Sequence, residues 1–147
     1  MLYGGDKSLD YKPFLTLYCQ RHSTRYNVQT NRLKKWFLLH LNFSTVNYIK
    51  NHNGLTIALY IDGKLASFMS GMLGRQNEYV VPRLSINDEY GFYSPGMILI
   101  NEAIKYFMSN TSVRHLDLSL GEEPYKYKMG GTVHYTHSFK LELKSII

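Results

Sequence analysis

Residues Ser119 to Gly131 read "SLGEEPYKYKMGG" and bring two acids, a proline, two Tyr-Lys pairs and a double glycine together. These types can do chemistry. A tyrosine hydroxyl can protonate a leaving group. A lysine ammonium can stabilise a developing oxyanion. A carboxylate needs only modest burial to become a useful base. Pro124 can start a helix, which would place Tyr125 and Lys126 in its first turn. The bland alternative is an amphipathic turn with solvated lysines, and the stretch alone leaves both open.

The preceding segment, "VRHLDLSL", alternates. Leu116, Leu118 and Leu120 face one way, and His115, Asp117 and Ser119 face the other. A central strand is apolar on both faces, so this polar face either lines a cleft or meets solvent at an edge. Asp117 and Glu122 are carboxylates close in sequence to the Tyr125-Lys126 pair and are the candidate bases. In α/β sheets, ligands bind beyond the carboxyl ends of the strands.

A second constellation is "YSPGMI" at residues 93–98. Ser94 is a candidate N-cap and Pro95 a first helical residue. Such a helix start offers unpaired N–H groups and a positive dipole end, which suits phosphate. Gly96 would let a ligand approach the backbone. The competing reading is ordinary helix punctuation by Pro and Gly.

These groups need elements to hold them. "PFLTLYCQRHSTRY" predicts a helix with Pro13 in its first turn, and Cys19 reads as a small core residue on it. "TNRLKKWFLLHLNFSTVNYIKNHNG" predicts a second helix through Leu33, Trp36, Phe37, His40 and Leu41, with Gly54 as its stop. The period then drops to two. "LTIALYID" and "KLASFMSGML" flank a hairpin signal at Asp62-Gly63. "EYVVPRLSI" is a third strand whose Pro82 marks an edge or a bulge. A helix over "SPGMILINEAIKYFM", the strand 113–120, a short helix at "EPYKYKMGG" and a last strand "VHYTHSFKLEL" follow. The order is α-α-β-β-β-α-β-α-β. The helix between the third and fourth strands implies a parallel crossover, and the fold class is α/β (α+β) with a mixed sheet.

With 147 residues and 44% hydrophobic side chains, the chain predicts a single domain, 1–147, with a real core. Residues 1–9 read as a frayed lead-in, and the abrupt start is compatible with a piece of a longer protein. No apolar run reaches the ~18 residues of a membrane span. The N-terminus lacks the basic-then-apolar order of a signal peptide, which points to the cytoplasm. One cysteine excludes an internal disulfide. The formal charge of +6 suits an anionic partner, yet the basic residues are scattered. His134 and His137 would point to opposite faces of a strand, so no metal site is expected. Neither a P-loop nor GxGxxG is present.

Taken together, "LTIALYIDGKLASFMSGML", "EYVVPRLSINDEYGFYSPGMILINEAIKYF" and "HLDLSLGEEPYKYKMGG" resemble the CelD/BcsL-type acetyltransferase domain of the GNAT superfamily, related to the FemABX peptidyltransferases. The resemblance spans about residues 10–145 and rests on "YSPG" and "D-x-S-x-G-E-E-P-Y-K". It implies a GNAT-like fold in which strands 78–86 and 113–120 are parallel neighbours that splay apart, with Pro82 at a bulge. It implies acetyl-CoA as co-substrate, entering that gap along Leu84, Ser85 and Ile86. The donor's pyrophosphate would rest on Tyr93, Ser94, Pro95, Gly96 and Met97. Of the usual Gln/Arg-x-x-Gly-x-Gly/Ala fingerprint, the frame Gly91, Ser94, Gly96 keeps only the last position. It implies Lys126 as an oxyanion donor, Tyr125 as the acid for the thiolate, and Asp117 or Glu122 as base. The acceptor would be an amine or hydroxyl on a small molecule, sugar or polysaccharide precursor. Aminoacyl-tRNA as donor, or a non-catalytic binding half of a two-domain enzyme, are the alternatives.

Overall fold

The computed structural model describes residues 2–4, 10–25, 40, 54–135, 137 and 138. The elements are β1 (Leu2–Gly4), α1 (Lys12–Arg25), β2 (Gly54–Ile61), β3 (Lys64–Leu73), β4 (Glu78–Ile86), a 3-10 turn (Asp88–Tyr93), α2 (Pro95–Asn110), β5 (His115–Asp117) and α3 (Pro124–Lys128). The strands form one sheet in the order β1-β2-β3-β4-β5. The first three pairings are antiparallel and β4–β5 is parallel. This is the mixed α/β sheet that the strand–helix–strand order requires.

The β2–β3 hairpin closes through Asp62 (φ 49°) and Gly63 (φ 75°). Two consecutive positive φ values are the demand of a type I′ turn, which the Asp-Gly pair meets. Alternation along β2 and β3 then sends side chains to two opposite faces. On one face, Ile57 and Met69 join Tyr79, Leu99, Ala103 and Phe107 beneath α2. On the other, Ala58 and Phe68 meet Phe14, Leu15 and Leu17 of α1. The result is helix, sheet, helix. Burying a Leu or Phe side chain fully is worth about 1.5–3 kcal/mol, so each helix is held by a handful of such residues. Cys19 is half-buried on α1.

Several expectations need correction. Leu2–Gly4 is not frayed but pairs with Thr56–Ala58 as an edge strand; backbone pairing at an edge needs no side-chain signature. Gly54 opens β2 opposite Met72. The fourth strand shortens from 113–120 to His115–Asp117. Ser119 leaves the extended region at φ 58° and gives its N–H to the Asp117 side chain, so the ladder stops. Residues 131–135, 137 and 138, placed in a last strand or its approach by sequence, are not in a strand, and Val133 and Tyr135 are exposed. The rest of that strand lies outside the described residues, as does the second helix except His40, which is helical and exposed.

Candidate active site

The site begins where β4 and β5 part. Their parallel pairing covers Glu78–Val80 and His115–Asp117 only, while β4 runs on to Ile86. On its other side, β4 pairs with β3 through a register shift. Ser70 faces Arg83 and Met72 faces Val80, so Val81 and Pro82 together stand opposite Gly71. That is a β-bulge at the proline, which supplies no ladder donor. Past the bulge, Leu84, Ser85 and Ile86 are paired with Met69, Phe68 and Ser67 on one edge. On the other edge β5 is missing. Alternate residues there turn N–H and C=O toward the gap, and those groups demand partners. Ser85 adds a second demand: its hydroxyl is buried without a hydrogen-bond partner, and the residue is only 2% exposed.

The fork is held by the loop that begins at Ser119. Ser119 Oγ donates to the Val81 carbonyl at 2.9 Å, bridging the two strands just past their last pair. Ser119 N donates to Asp117 Oδ1 at 2.7 Å. The Lys126 ammonium donates to three consecutive carbonyls, Ser119 at 2.9 Å, Leu120 at 3.1 Å and Gly121 at 3.0 Å. Glu123 Oε2 lies 3.0 Å from the same nitrogen. An ammonium has three hydrogens, and here three carbonyls match them. The Lys126 side chain is 13% exposed. It is a clamp on its own loop.

The double glycine is structural too. Gly130, at φ 80°, donates to Tyr127 O, and Gly131 donates to Lys126 O. This crossed pair is a Schellman cap on α3. A Cβ on Gly131 would stand 2.8 Å from the Lys126 carbonyl oxygen.

At the other lip, α2 starts differently from expectation. Ser94 is the N-cap residue but sits at φ 50°, ψ 51°, and its side chain makes no cap hydrogen bond. Its carbonyl accepts from the N–H groups of Met97 and Ile98. Pro95 is buried, and its carbonyl accepts from Ser67 Oγ at 3.0 Å. Pro95 therefore anchors the helix to β3. Gly96 packs against Ile86, 3.0 Å from where a Cβ would stand, which draws the helix start down to the end of β4. Tyr93 and Ser94 are exposed at the mouth, and Met97 is half-buried. Gly91 is exposed with open space around it. An ion pair between Arg21 and Asp88 ties α1 to the turn before α2. Beside it, a groove of about 410 Å³ is lined by Asp10, Thr16, Gln20, Leu65 and Asn87 among others.

The predicted residues thus fall on two lips of one fork. Leu84, Ser85 and Ile86 line the open edge, and Tyr93, Ser94, Gly96 and Met97 stand at the helix start. Tyr125 and Lys126 lie on the opposite loop and helix. Asp117 and Glu122 are exposed, and β5 is the last strand of the sheet among the described residues, so its polar face meets solvent. Sequence reasoning missed Glu123 as the partner of Lys126 and Ser119 as the bridge to β4. The i, i+3 spacing of Glu123 and Lys126 was the signal for the first.

The sequence model of the family described as "Acetyltransferase (GNAT) domain" matches residues 14–127. The chain belongs to the GNAT acetyltransferase family. The match takes in the fork, the α2 start and both residues of the Tyr125-Lys126 pair. Solved structures agree on the fold of this GNAT domain. A ribosomal-protein-alanine N-acetyltransferase from Brucella melitensis biovar Abortus 2308 aligns over 92% of this chain and 94% of its own, at 13% identity and TM-score 0.59. The PaiA N-acetyltransferase from Thermoplasma acidophilum, solved with coenzyme A, aligns over 73% and 71% at 14% identity and TM-score 0.55. Glucosamine-6-phosphate N-acetyltransferase from Arabidopsis thaliana aligns over 96% and 99% at 11% identity and TM-score 0.52. None of the curated proteins matches the chain in sequence. Among the described residues, no helix is long and apolar enough to cross a membrane, and no three His, Cys, Asp or Glu side chains cluster as a metal site would need.

Proposed function

We propose that this GNAT domain transfers an acetyl group from acetyl-CoA to an amine, or to a hydroxyl, on a small molecule or sugar. The observation that carries this reading is the edge of β4 beyond the Val81–Pro82 bulge, where the pairing with β5 has ended and no other described strand takes its place, beside the start of α2. An extended pantetheine arm carries amides that suit such an edge, as an added strand would. The α2 start suits the pyrophosphate, and the charge of +6 suits a multiply anionic donor. The buried Ser85 hydroxyl fits the same ligand, because an unpaired buried polar group is costly until something pairs with it.

The acceptor amine attacks the thioester carbon directly. Backbone N–H groups within the 82–86 stretch, other than at Pro82, would stabilise the developing oxyanion. Tyr125 gives its proton to the departing thiolate, and Asp117 or Glu122 takes the amine's proton through water. Lys126 as oxyanion donor would require it to leave at least one of its three carbonyls. We place the acceptor on the α1 side, toward the groove beside Asn87. The finer kinship, to the CelD/BcsL type and through it to FemABX proteins, rests on "YSPG" and "GEEPYK". It makes amino sugars and polysaccharide precursors the acceptors to try first, and the cytoplasm the compartment.

A second reading keeps the fork and takes aminoacyl-tRNA as donor, favoured by the departure of Gly91 and Ser94 from the pyrophosphate fingerprint. A non-catalytic binding half would share that departure. The test is release of free thiol from acetyl-CoA with a panel of amines and amino sugars. Acceptor-dependent release supports acetyl transfer, and acceptor-independent background alone sinks it.

A further inference from the structure

We propose that Lys126 is a positioning residue that fixes the width of the donor cleft through Ser119. The proposal rests on the acyl-CoA reading of the fork. Its support is a continuous chain of bonds. Lys126 Nζ holds the Ser119 carbonyl at 2.9 Å, and the Ser119 hydroxyl holds the Val81 carbonyl at 2.9 Å. Val81 is half of the bulge in β4. The bridge lies just past Val80 and Asp117, where the parallel ladder ends, so it sits at the vertex of the fork. What Lys126 grips, the fork inherits.

The loop is built around this cation. Ser119 at φ 58° and Gly121 at φ 103° take left-handed conformations on either side of Leu120. A non-glycine residue such as Ser119 is strained there. The return is that three consecutive carbonyls converge on one point. Such convergence of partial negative charge needs a cation at its centre, and Lys126 supplies it from the first turn of α3. A methyl group on Gly121 would stand 2.8 Å from the Glu123 carboxylate that braces the same ammonium. All three hydrogens of the ammonium are used in holding the loop, and none is left for a reacting oxygen.

A lysine acting on the oxyanion and a lysine setting the cleft fail differently. Lys126→Met and Ser119→Ala, alone and combined, are to be compared with wild type. Coenzyme A binding by calorimetry and turnover are read on each. The positioning role predicts that each single change weakens coenzyme A binding at least fivefold. The double variant should be no weaker than the weaker single, because both cut one chain. Full-strength binding by Lys126→Met with a fall in kcat alone overturns the proposal and makes Lys126 an oxyanion donor. Losses that multiply in the double variant also overturn it. Amide hydrogen exchange of 81–86 in the ligand-free chain separates this proposal from the donor reading. Faster exchange there in both variants supports the clamp even if wild type binds no coenzyme A. Unchanged exchange overturns it, whatever the donor. Ser119→Ala removes one hydroxyl from an exposed residue, so it remains informative if Lys126→Met does not fold.

Discussion

Tyr79 of β4 lies over Gly71 of β3. A Cβ at Gly71 would stand 3.0 Å from the Tyr79 ring and would overlap the Val80 carbonyl oxygen. With no side chain there, the tyrosine reaches across β3 and donates its hydroxyl proton to the Leu55 carbonyl of β2. Its ring also packs on Phe107 of α2, with centroids 4.7 Å apart. The same glycine faces the bulge at Val81 and Pro82. One missing side chain thus allows both the core tyrosine and the bulge in β4 beside the cleft.

Gly71→Ala is therefore expected to destabilise the fold by about 1–3 kcal/mol or more, the cost of overpacking a tight site. The clash is with backbone oxygen, which cannot rotate away. Denaturant unfolding measures the loss. A change below about 0.5 kcal/mol would mean that β3 and β4 are not fitted as described.

Tyr79 also sets a pH dependence. Burial, the largest cause, drives its hydroxyl well above the ordinary value of 10.0, partly offset by a backbone hydrogen bond at Gly71. The folded state then keeps a proton that the unfolded chain releases. Its contribution is fully present below about pH 10 and is lost above it, by about 1.4 kcal/mol per pH unit. Tyr79→Phe should remove this share of the alkaline loss and cost about 0.5–1.5 kcal/mol near neutrality, because the Leu55 carbonyl loses its donor. Unfolding curves from pH 8 to 11 on both proteins check the sign.

Ser85→Ala separates fold from function. Removing a buried hydroxyl that has no partner should leave the free protein as stable or raise stability by about 1 kcal/mol. Coenzyme A affinity should fall severalfold. A melting temperature that drops with affinity intact would assign Ser85 to the core alone.

Tyr125→Phe keeps the ring and deletes the proton. For a general acid, kcat should fall by about 10²–10⁴-fold with donor affinity within about twofold of wild type. A tyrosine with no part in proton transfer would leave kcat unchanged, which turnover assays read directly.

The hairpin, the bulge at Pro82, the long helix at "SPG" and the parallel crossover were legible, because each follows from local turn chemistry or from periods of two and 3.6. The end of β5 was not. The alternation of Leu116, Leu118 and Leu120 continues past the point where Ser119 turns left-handed, and a side chain bonding its own backbone gives no periodic signal. The surroundings of Lys126 were hidden for a related reason. Sequence shows an ammonium near a cleft, but not that three carbonyls of its own loop surround it. The hold of Pro95 on β3 was hidden too, because only the Ser67 hydrogen bond reveals that its carbonyl faces the core. Leu2–Gly4 is too short to show a period, and its ladder to Thr56–Ala58 is made by backbone groups that any sequence carries.

The central claim, that the fork between β4 and β5 takes acetyl-CoA, is tested most directly by thermal denaturation with acetyl-CoA against 3′,5′-ADP and against pantetheine alone. A donor at about 100 times its dissociation constant should add about 2.7 kcal/mol. The account predicts that full shift for acetyl-CoA and smaller shifts for either fragment, because the fork and the α2 start each hold one part. No shift at saturating acetyl-CoA would contradict it.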